Sequence, residues 1–245
     1  MLPPSTLISA LTAGFILCGT RFLQATELRV EPVLLEMNAP SVAGSLTIQN
    51  EDKVEVSVQT RILRWSQADG KETLEPTSDV VASPPTIKLA PQAENIVRVV
   101  RVSKQPVIGE ESYRVIVDQL PNLRARQNNT INILVRQSIP VFFRAAELAP
   151  PSVSWSYRHE AGKLVIYARN SGEERLRIAN LRIDDGAGHS LNFGNGLAGY
   201  ALGRSTMSWI FNSAPNNFGL SGSASITAQS DKGPVHAVAQ IRDRL

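Results

Sequence analysis

Histidine, glycine and arginine are the residues of this sequence whose types could support chemistry. His159, His189 and His236 could each serve as a general base or a metal ligand. None has a partner at metal-ligand spacing, so each is expected to be packed or solvated on its own. Gly194, Gly196 and Gly199 in GNGLAG match G-x-G-x-x-G by letters. A phosphate cradle needs a buried strand before those glycines and a helix after them. The flanks HSLNF and YALGRS supply neither, and turn glycines are the expected reading. There is no G-x-S-x-G elbow and no carboxylate pair in a special context, and the single cysteine is Cys18. Catalysis, a metal and a cofactor are therefore not expected.

A different chemistry, that of the main chain, is suggested by NTINILVRQSIP, residues 129–140. Ile131, Ile133 and Val135 alternate with Asn132, Leu134 and Arg136, the period of a strand. Both faces of that strand carry an apolar residue, and a cation stands beside Leu134. Such a segment is either an internal strand buried on both faces or an edge whose backbone and side chains await a partner.

The elements that must hold these residues are strands throughout. In the first half the runs are LRVEPVLLEM, AGSLTIQN, VEVSVQTRILRW, NIVRVVRVS, YRVIVDQLP and TINILVRQSIPVFFR. In the second half they are SVSWSY, KLVIYARN, LRIANLRI, TMSWIF, SASITA and VHAVAQI. Each is rich in Val, Ile, Leu or aromatic residues and ends near Gly, Pro, Asn or Asp, and no long segment shows a capped helical period. Short strands at this spacing predict an all-β protein of sandwich type. The paired prolines of RAAELAPP, residues 144–151, place the boundary between two halves of similar size. The polar QLPNLRARQNNT between the last two strands of the first half is expected to be a loop.

The chain of 245 residues, 42% hydrophobic, is long enough for two compact domains after loss of a leader. Residues 1–25 read as a secretory signal, with the apolar run LISALTAGFILC and small Ala25 before polar TELRV. Cleavage there removes Cys18, leaving a mature chain without disulfides, and removes Arg21 from a formal charge of +3. So mild a charge, with scattered basic residues and few aromatics, argues against nucleic acid as a partner.

SPP at residues 83–85, then VRVVR, then EESYRVIVDQLP, then a strand ending RQSIPVFF stand in an order and spacing that resemble a known family. It is the periplasmic chaperones of the chaperone–usher pilus pathway, and the likeness is greatest to the archaic (sigma) class. The resemblance implies two immunoglobulin-like β-sandwich domains in an L-shaped arrangement, residues 26–146 and 147–245. It implies a periplasmic molecular chaperone that lends a strand to fimbrial subunits lacking one, and delivers them to an outer-membrane usher without ATP or cofactor. By position, Ile131, Ile133 and Val135 match the donor residues, with Leu134 facing the chaperone's own core. Other family members bind the subunit's C-terminal carboxylate with basic residues where this chain has Pro32 and Pro140; the archaic class instead points to Arg114 and Arg136, with Arg98 and Arg101 in reserve. An interdomain charge cluster is implied at Glu111, Arg144 and Asp231. The sticky strand also allows a self-capped homo-oligomer, and the proline-bearing face of the first domain is the expected usher contact.

Two competing readings are a secreted Ig-like fimbrial subunit or adhesin and a glycan-binding sandwich. The first calls for one incomplete domain, often with a disulfide. The second calls for a row of exposed aromatics, whereas Trp65, Trp155 and Trp209 are dispersed.

Overall fold

The computed structural model describes residues 28–121, 133–160, 162–212, 214–215, 217–219 and 222–242. The proposed leader lies outside them, as does most of the loop expected at QLPNLRARQNNT. The first half supplies β1 (Leu28–Glu31), β2 (Leu35–Asn38), β3 (Ala43–Asn50), β4 (Val56–Ala68), β5 (Lys71–Pro76), β6 (Val80–Ser83), β7 (Thr86–Leu89), β8 (Glu94–Arg101), β9 (Glu110–Leu120) and β10 (Arg136–Arg144). The second supplies β11 (Val153–Glu160), β12 (Lys163–Asn170), β13 (Leu176–Asp184), β14 (Ser190–Asn192), β15 (Leu197–Ala201), β16 (Ser205–Phe211), β17 (Ser223–Ser230) and β18 (Gly233–Ile241). Among the described residues there is no helix, and the expected all-β class is what is observed.

Two sheets face each other in the first half, β1-β3-β8-β6 and β2-β10-β9-β4-β5, the latter with β7 also on β4. The run LRVEPVLLEM is not one strand. It breaks at Pro32, whose ring removes a ladder donor, and β1 and β2 join different sheets. Period-two alternation builds the core. Tyr113, Val115 and Val117 of β9 are fully buried and meet Val97 and Val99 of β8, Leu46 and Ile48 of β3, and Val141 and Phe143 of β10. Each such aliphatic contributes about 1.5–3 kcal/mol of transfer free energy, which fixes the register because a one-residue slip would turn the row outward. The Ser83–Pro84 peptide is cis.

In the second half the order is β14-β13-β17-β18-β11-β12-β16, with β15 on β13. Here β11 ties the halves of the sheet together, running antiparallel to β12 and parallel to β18. Trp155 and Trp209 pack with ring centroids 6.0 Å apart over a core that includes Tyr157, Ile166, Ile178, Leu181 and Phe218.

Each sandwich holds one buried asparagine at a strand end. Asn50 donates from Nδ2 to the carbonyls of Val54 (2.8 Å), Leu89 (3.2 Å) and Ala90 (3.0 Å). Asn170 donates to the carbonyls of Glu174 (2.8 Å) and Ala201 (3.2 Å), and its Oδ1 accepts from the amides of Ser152 (3.1 Å) and Gly172 (3.0 Å). Asn170 thus satisfies four main-chain groups where β12 gives way to a loop. Truncating it leaves them buried and unpaired, so Asn170→Ala should lower stability by about 2–4 kcal/mol in urea unfolding. A loss under about 0.5 kcal/mol would show that water or a shifted loop replaces the side chain.

Candidate functional site

Strand β10 is paired with β9 along its whole length but with β2 only over Val141–Arg144. Among the described residues, no strand lies on the other flank of residues 136–140. Chain pairing reaches slightly beyond the strand. The Gln119 amide donates to the Val135 carbonyl at 2.9 Å, and the Val135 amide donates to Gln119 Oε1 at 3.3 Å. Ile139, Val141 and Phe143 form the buried row of β10. By the same alternation Gln137, Val135 and Ile133 continue that row past the end of the core; Gln137 donates to the Leu28 carbonyl of β1 at 2.6 Å, Val135 is half-buried and Ile133 is 58% exposed. Ile131 lies outside the described residues. The expectation for Leu134 is corrected: it is 47% exposed and has the parity of Arg136, Ser138 and Phe142 on the outer face. The core row of β10 is the odd-numbered one, so its even-numbered neighbour has no access to the core.

Arg114 and Arg136 share that outer face. Arg114 stands opposite Pro140 in the β9–β10 pair, and Arg136 stands opposite Asp118, about 13 Å further along at ~3.3 Å per residue. The two arginines differ in their partners. Arg136 bonds Asp118 through Nε, and Arg61 binds the same carboxylate at 2.5 Å. Arg114 forms no ion pair with a carboxylate among the described residues; its guanidinium carbon lies 3.7 Å from the centre of the Trp65 ring. Burial lowers its pKa, with Glu72 and Tyr200 acting against that effect through space. Arg98 and Arg101 lie on β8 in the other sheet. Arg98 is exposed opposite Ser45 and Ser83, and Arg101 is buried against Glu111.

The charge cluster between the sandwiches is displaced by one residue from the expected positions. Arg144 belongs to it, but Glu111 and Asp231 do not. Glu111 accepts from Arg101 Nε and Nη2, both at 2.8 Å, and from the Tyr113 hydroxyl at 3.0 Å, on the inner side of its strand. Asp231 accepts from the Arg177 amide, at 3.2 Å. Their neighbours are the members instead: Glu110, which faces the opposite side of β9 from Glu111, and Lys232, in the turn between β17 and β18. Fully buried Glu110 pairs with Arg175 and lies 3.5 Å from Arg144 Nε. Arg175 also pairs with Glu36, and Glu174 receives both Arg144 and Lys232, the latter at 2.7 Å. Burial pushes the Glu110 carboxyl up, against the opposing pull of Arg175.

The neighbouring contacts were not legible as a set. Trp65, Phe142, Tyr200 and Leu202 form a separate apolar cluster from both halves. The side chain of Gln67 donates to the Tyr200 carbonyl and accepts from the Leu202 amide, both at 2.9 Å. Gly70, at the tip between β4 and β5, has φ +80° and exchanges main-chain hydrogen bonds of 3.2 Å with Thr206 and Ser208. A Cβ there would approach Ser208 Oγ to 2.8 Å, so glycine is required for the close approach.

The remaining sequence candidates are structural. His159 Nε2 lies 2.8 Å from the Phe218 carbonyl, His189 Nδ1 lies 2.7 Å from Asp185, and His236 is on β18 opposite Thr227. No group of three metal-ligating side chains occurs among the described residues. Gly194 and Gly196, with φ of +130° and +95°, lie between β14 and β15, and Gly199, with φ of +145°, lies within β15 opposite Ile178, without a helix. Trp155 and Trp209 are interior rather than arrayed on a face.

Two outcomes follow from these charges. Removing one member of a buried pair strands the other, so Arg175→Met should destabilise the protein by about 3–5 kcal/mol, and adding Glu110→Gln should recover most of that loss. A thermal-melt series over the single and double variants checks the coupling. For Asp118, burial alone would raise the carboxyl, but hydrogen bonds from Arg136 and Arg61 outweigh it and hold the group below its ordinary 3.8. A lowered folded-state pKa gives stability that is present above the unfolded value and lost as pH falls through the folded one. The deficit of Asp118→Asn, about 1 kcal/mol at neutral pH, should therefore persist to about pH 5 and shrink toward about pH 2 in urea titrations. A deficit that grew on acidification would contradict the pairing.

Residues 27–149 match the family profile described as pili and flagellar-assembly chaperone, PapD N-terminal domain. The chain is 33% identical over 110 residues to the Probable fimbrial chaperone LpfB of Escherichia coli O157:H7, covering 43% of this chain and 44% of that one. It is 22% identical over 143 residues to the Chaperone protein CssC of Escherichia coli, covering 52% and 57%. It therefore spans about half the length of these curated relatives. Among solved structures it is similar to a chain of the CsuC–CsuE chaperone–tip adhesion subunit pre-assembly complex from archaic chaperone-usher Csu pili of Acinetobacter baumannii. That similarity has a TM-score of 0.69 and 23% identity, and covers 89% of this chain and 100% of that one. The CupB2 chaperone of Pseudomonas aeruginosa matches with a TM-score of 0.53 and 16% identity over 86% and 98%. At these identities the two structures establish the fold.

Proposed function

The chain belongs to the pili and flagellar-assembly chaperone family, and from that premise we propose that it is a periplasmic chaperone of fimbrial subunits that works by strand donation. The observation that carries this reading is the open flank of β10 at residues 136–140, continuous with the apolar row of Val135 and exposed Ile133. Unpaired main-chain donors and acceptors beside such a row fit a partner that lacks a strand: hydrogen bonds supply attachment, and alternate side chains enter its pockets. Strand addition of this kind is the established mode by which pilus chaperones hold their subunits. Burial of Ile131, Ile133 and Val135 in such a groove is worth roughly 5–8 kcal/mol before ordering costs. A subunit is then held, yet a better-packed strand from another subunit can displace the donor without nucleotide hydrolysis.

Arg114 is the preferred cation for the subunit's terminal carboxylate, and Arg136 is secondary because Asp118 already neutralises it. This placement also supports assignment to the archaic class. Pro140 stands where other members carry the cation, and Arg114 lies directly across the strand pair. The division at 26–146 and 147–245, secretion through a cleaved leader, delivery to an outer-membrane usher and self-capping of free chaperone complete the reading. Family membership weighs against the alternative of a fimbrial subunit or adhesin.

Co-expression with secreted Ig-like proteins encoded nearby, followed by pull-down, tests the proposal. Ile133→Asp and Arg114→Ala should abolish co-purification while circular dichroism and melting stay near wild type, since Ile133 is exposed and Arg114 only half-buried. Recovery of subunit at normal yield with either variant would sink the assignment of that residue.

A further inference from the structure

Resting on the reading of Arg114 as the cation for a terminal carboxylate, we infer that Trp65 and Tyr200 are positioning residues for that cation, so that carboxylate binding depends on contact between the two sandwiches. The guanidinium of Arg114 lies over the indole, 3.7 Å from its centre. Trp65 in turn is set by its neighbours: the Phe142 ring at 5.9 Å and the Tyr200 ring, edge-on, at 5.5 Å. Tyr200 comes from β15 of the second sandwich, and its carbonyl is fixed by Gln67 at 2.9 Å. The platform under the cation is therefore assembled from both halves.

A second arginine on the same aromatic layer makes the contrast. Arg175 lies 3.6 Å from the centre of the Phe142 ring, but Glu110 and Glu36 occupy its Nη1 and Nη2 groups. Arg114 has the same stacking geometry and no carboxylate partner among the described residues. Stacking uses the face of a guanidinium, whereas a carboxylate binds its edge through two parallel N–H groups, so the two interactions are compatible. An indole thus holds the plane of Arg114 while leaving its edge to a ligand.

Trp65 also carries a sign that packing alone does not account for its choice. Its Nε1–H is buried without an acceptor among the described residues. An unsatisfied buried donor is a cost that Leu or Phe would avoid. What Trp offers in return is the strongest cation-binding face of any side chain.

The test is a titration of the ¹⁵N-labelled protein with acetate at constant ionic strength, with acetamide as the neutral control. It reads the Arg114 Nε–H resonance, identified by its absence in Arg114→Lys. In the wild type that resonance should shift saturably with acetate and not with acetamide. Trp65→Phe should keep acetate affinity within about threefold, while Trp65→Leu and Tyr200→Leu should each weaken it by roughly tenfold. The Arg136 resonance should be unmoved by all three substitutions and reports that the first sandwich is intact; if Trp65→Leu does not fold, Tyr200→Leu decides. Wild-type affinity in Tyr200→Leu or Trp65→Leu overturns the positioning role while leaving Arg114 as the anchor. No response of Arg114 to acetate in the wild type overturns the anchor, and the inference with it.

Discussion

A main-chain N–H or C=O that lacks a partner strand is a template for pairing, and the free flank of β10 sets the terms for the rest of this molecule. The other edge of the same sheet shows how a strand is ordinarily protected. β5 carries Lys71, Glu72 and Glu75, ends in Pro76, and is exposed at every position. A strand so charged gives an approaching chain little apolar surface to bury. The first half of β10 carries less of this protection: Arg136 is its one charge and Pro140 its one proline. Its neighbours there are Val135 and Ile133 rather than carboxylates, and the cation that opens the strand, Arg136, is neutralised by Asp118. An edge whose one charge is neutralised and whose flanking residues are apolar favours pairing, and its aggregation hazard is tolerable only where a partner takes it up.

The second sandwich adds nothing to that edge directly, since its strands form a sheet of their own. Its contribution is to the outer face behind it. The buried pairs of Glu110 and Arg175, the side chain of Gln67 and the main chain of Gly70 join the halves at separate points. Salt weakens exposed ion pairs but acts little on buried ones or on main-chain hydrogen bonds, so this junction combines contacts with different sensitivities. Between them lies the aromatic layer that carries both stacked arginines, and a change in how the halves meet would reach Arg114 as well as Arg175.

Strand periodicity made most of this architecture readable. Runs such as VEVSVQTRILRW are buried on alternate residues because they lie between a core and a second surface, whereas KLVIYARN is buried continuously from Leu164 to Ala168, and both patterns survive in the letters. The short β5, β6, β7, β14 and β15 escaped because runs of three to six residues carry too little apolar alternation to detect. LRVEPVLLEM read as one strand because sequence alone does not say that a proline marks a change of sheet. Among site residues, the donor row and Arg114 came from family resemblance, which supplied positions that composition could not. The errors at Glu111 and Leu134 share one cause: in extended backbone the neighbouring residue faces the opposite side, so an assignment loose by one position inverts the face; Asp231 lies in the turn between β17 and β18, where that alternation does not operate. Gln67 and Trp65 carried no signal, since a buried amide or indole between domains looks like any other strand residue.

The extent of the open flank also bears on register. An added strand alongside residues 136–140 cannot continue past Val141, because β2 occupies that side from there to Arg144. A chain running parallel to β10, as β2 itself does, would reach its stopping point beside Pro140. The residue across the pair at that row is Arg114. The end of an incoming chain is where its free carboxylate lies, and the low ring of Pro140 adds little height between that end and the cation on β9. A steric stop and a charge at the same row select the same alignment. On the reading proposed for Arg114, that alignment would also set which side chains of the partner face Val135 and Ile133, so a carboxylate bound at Arg114 would determine how the apolar row is read several residues away.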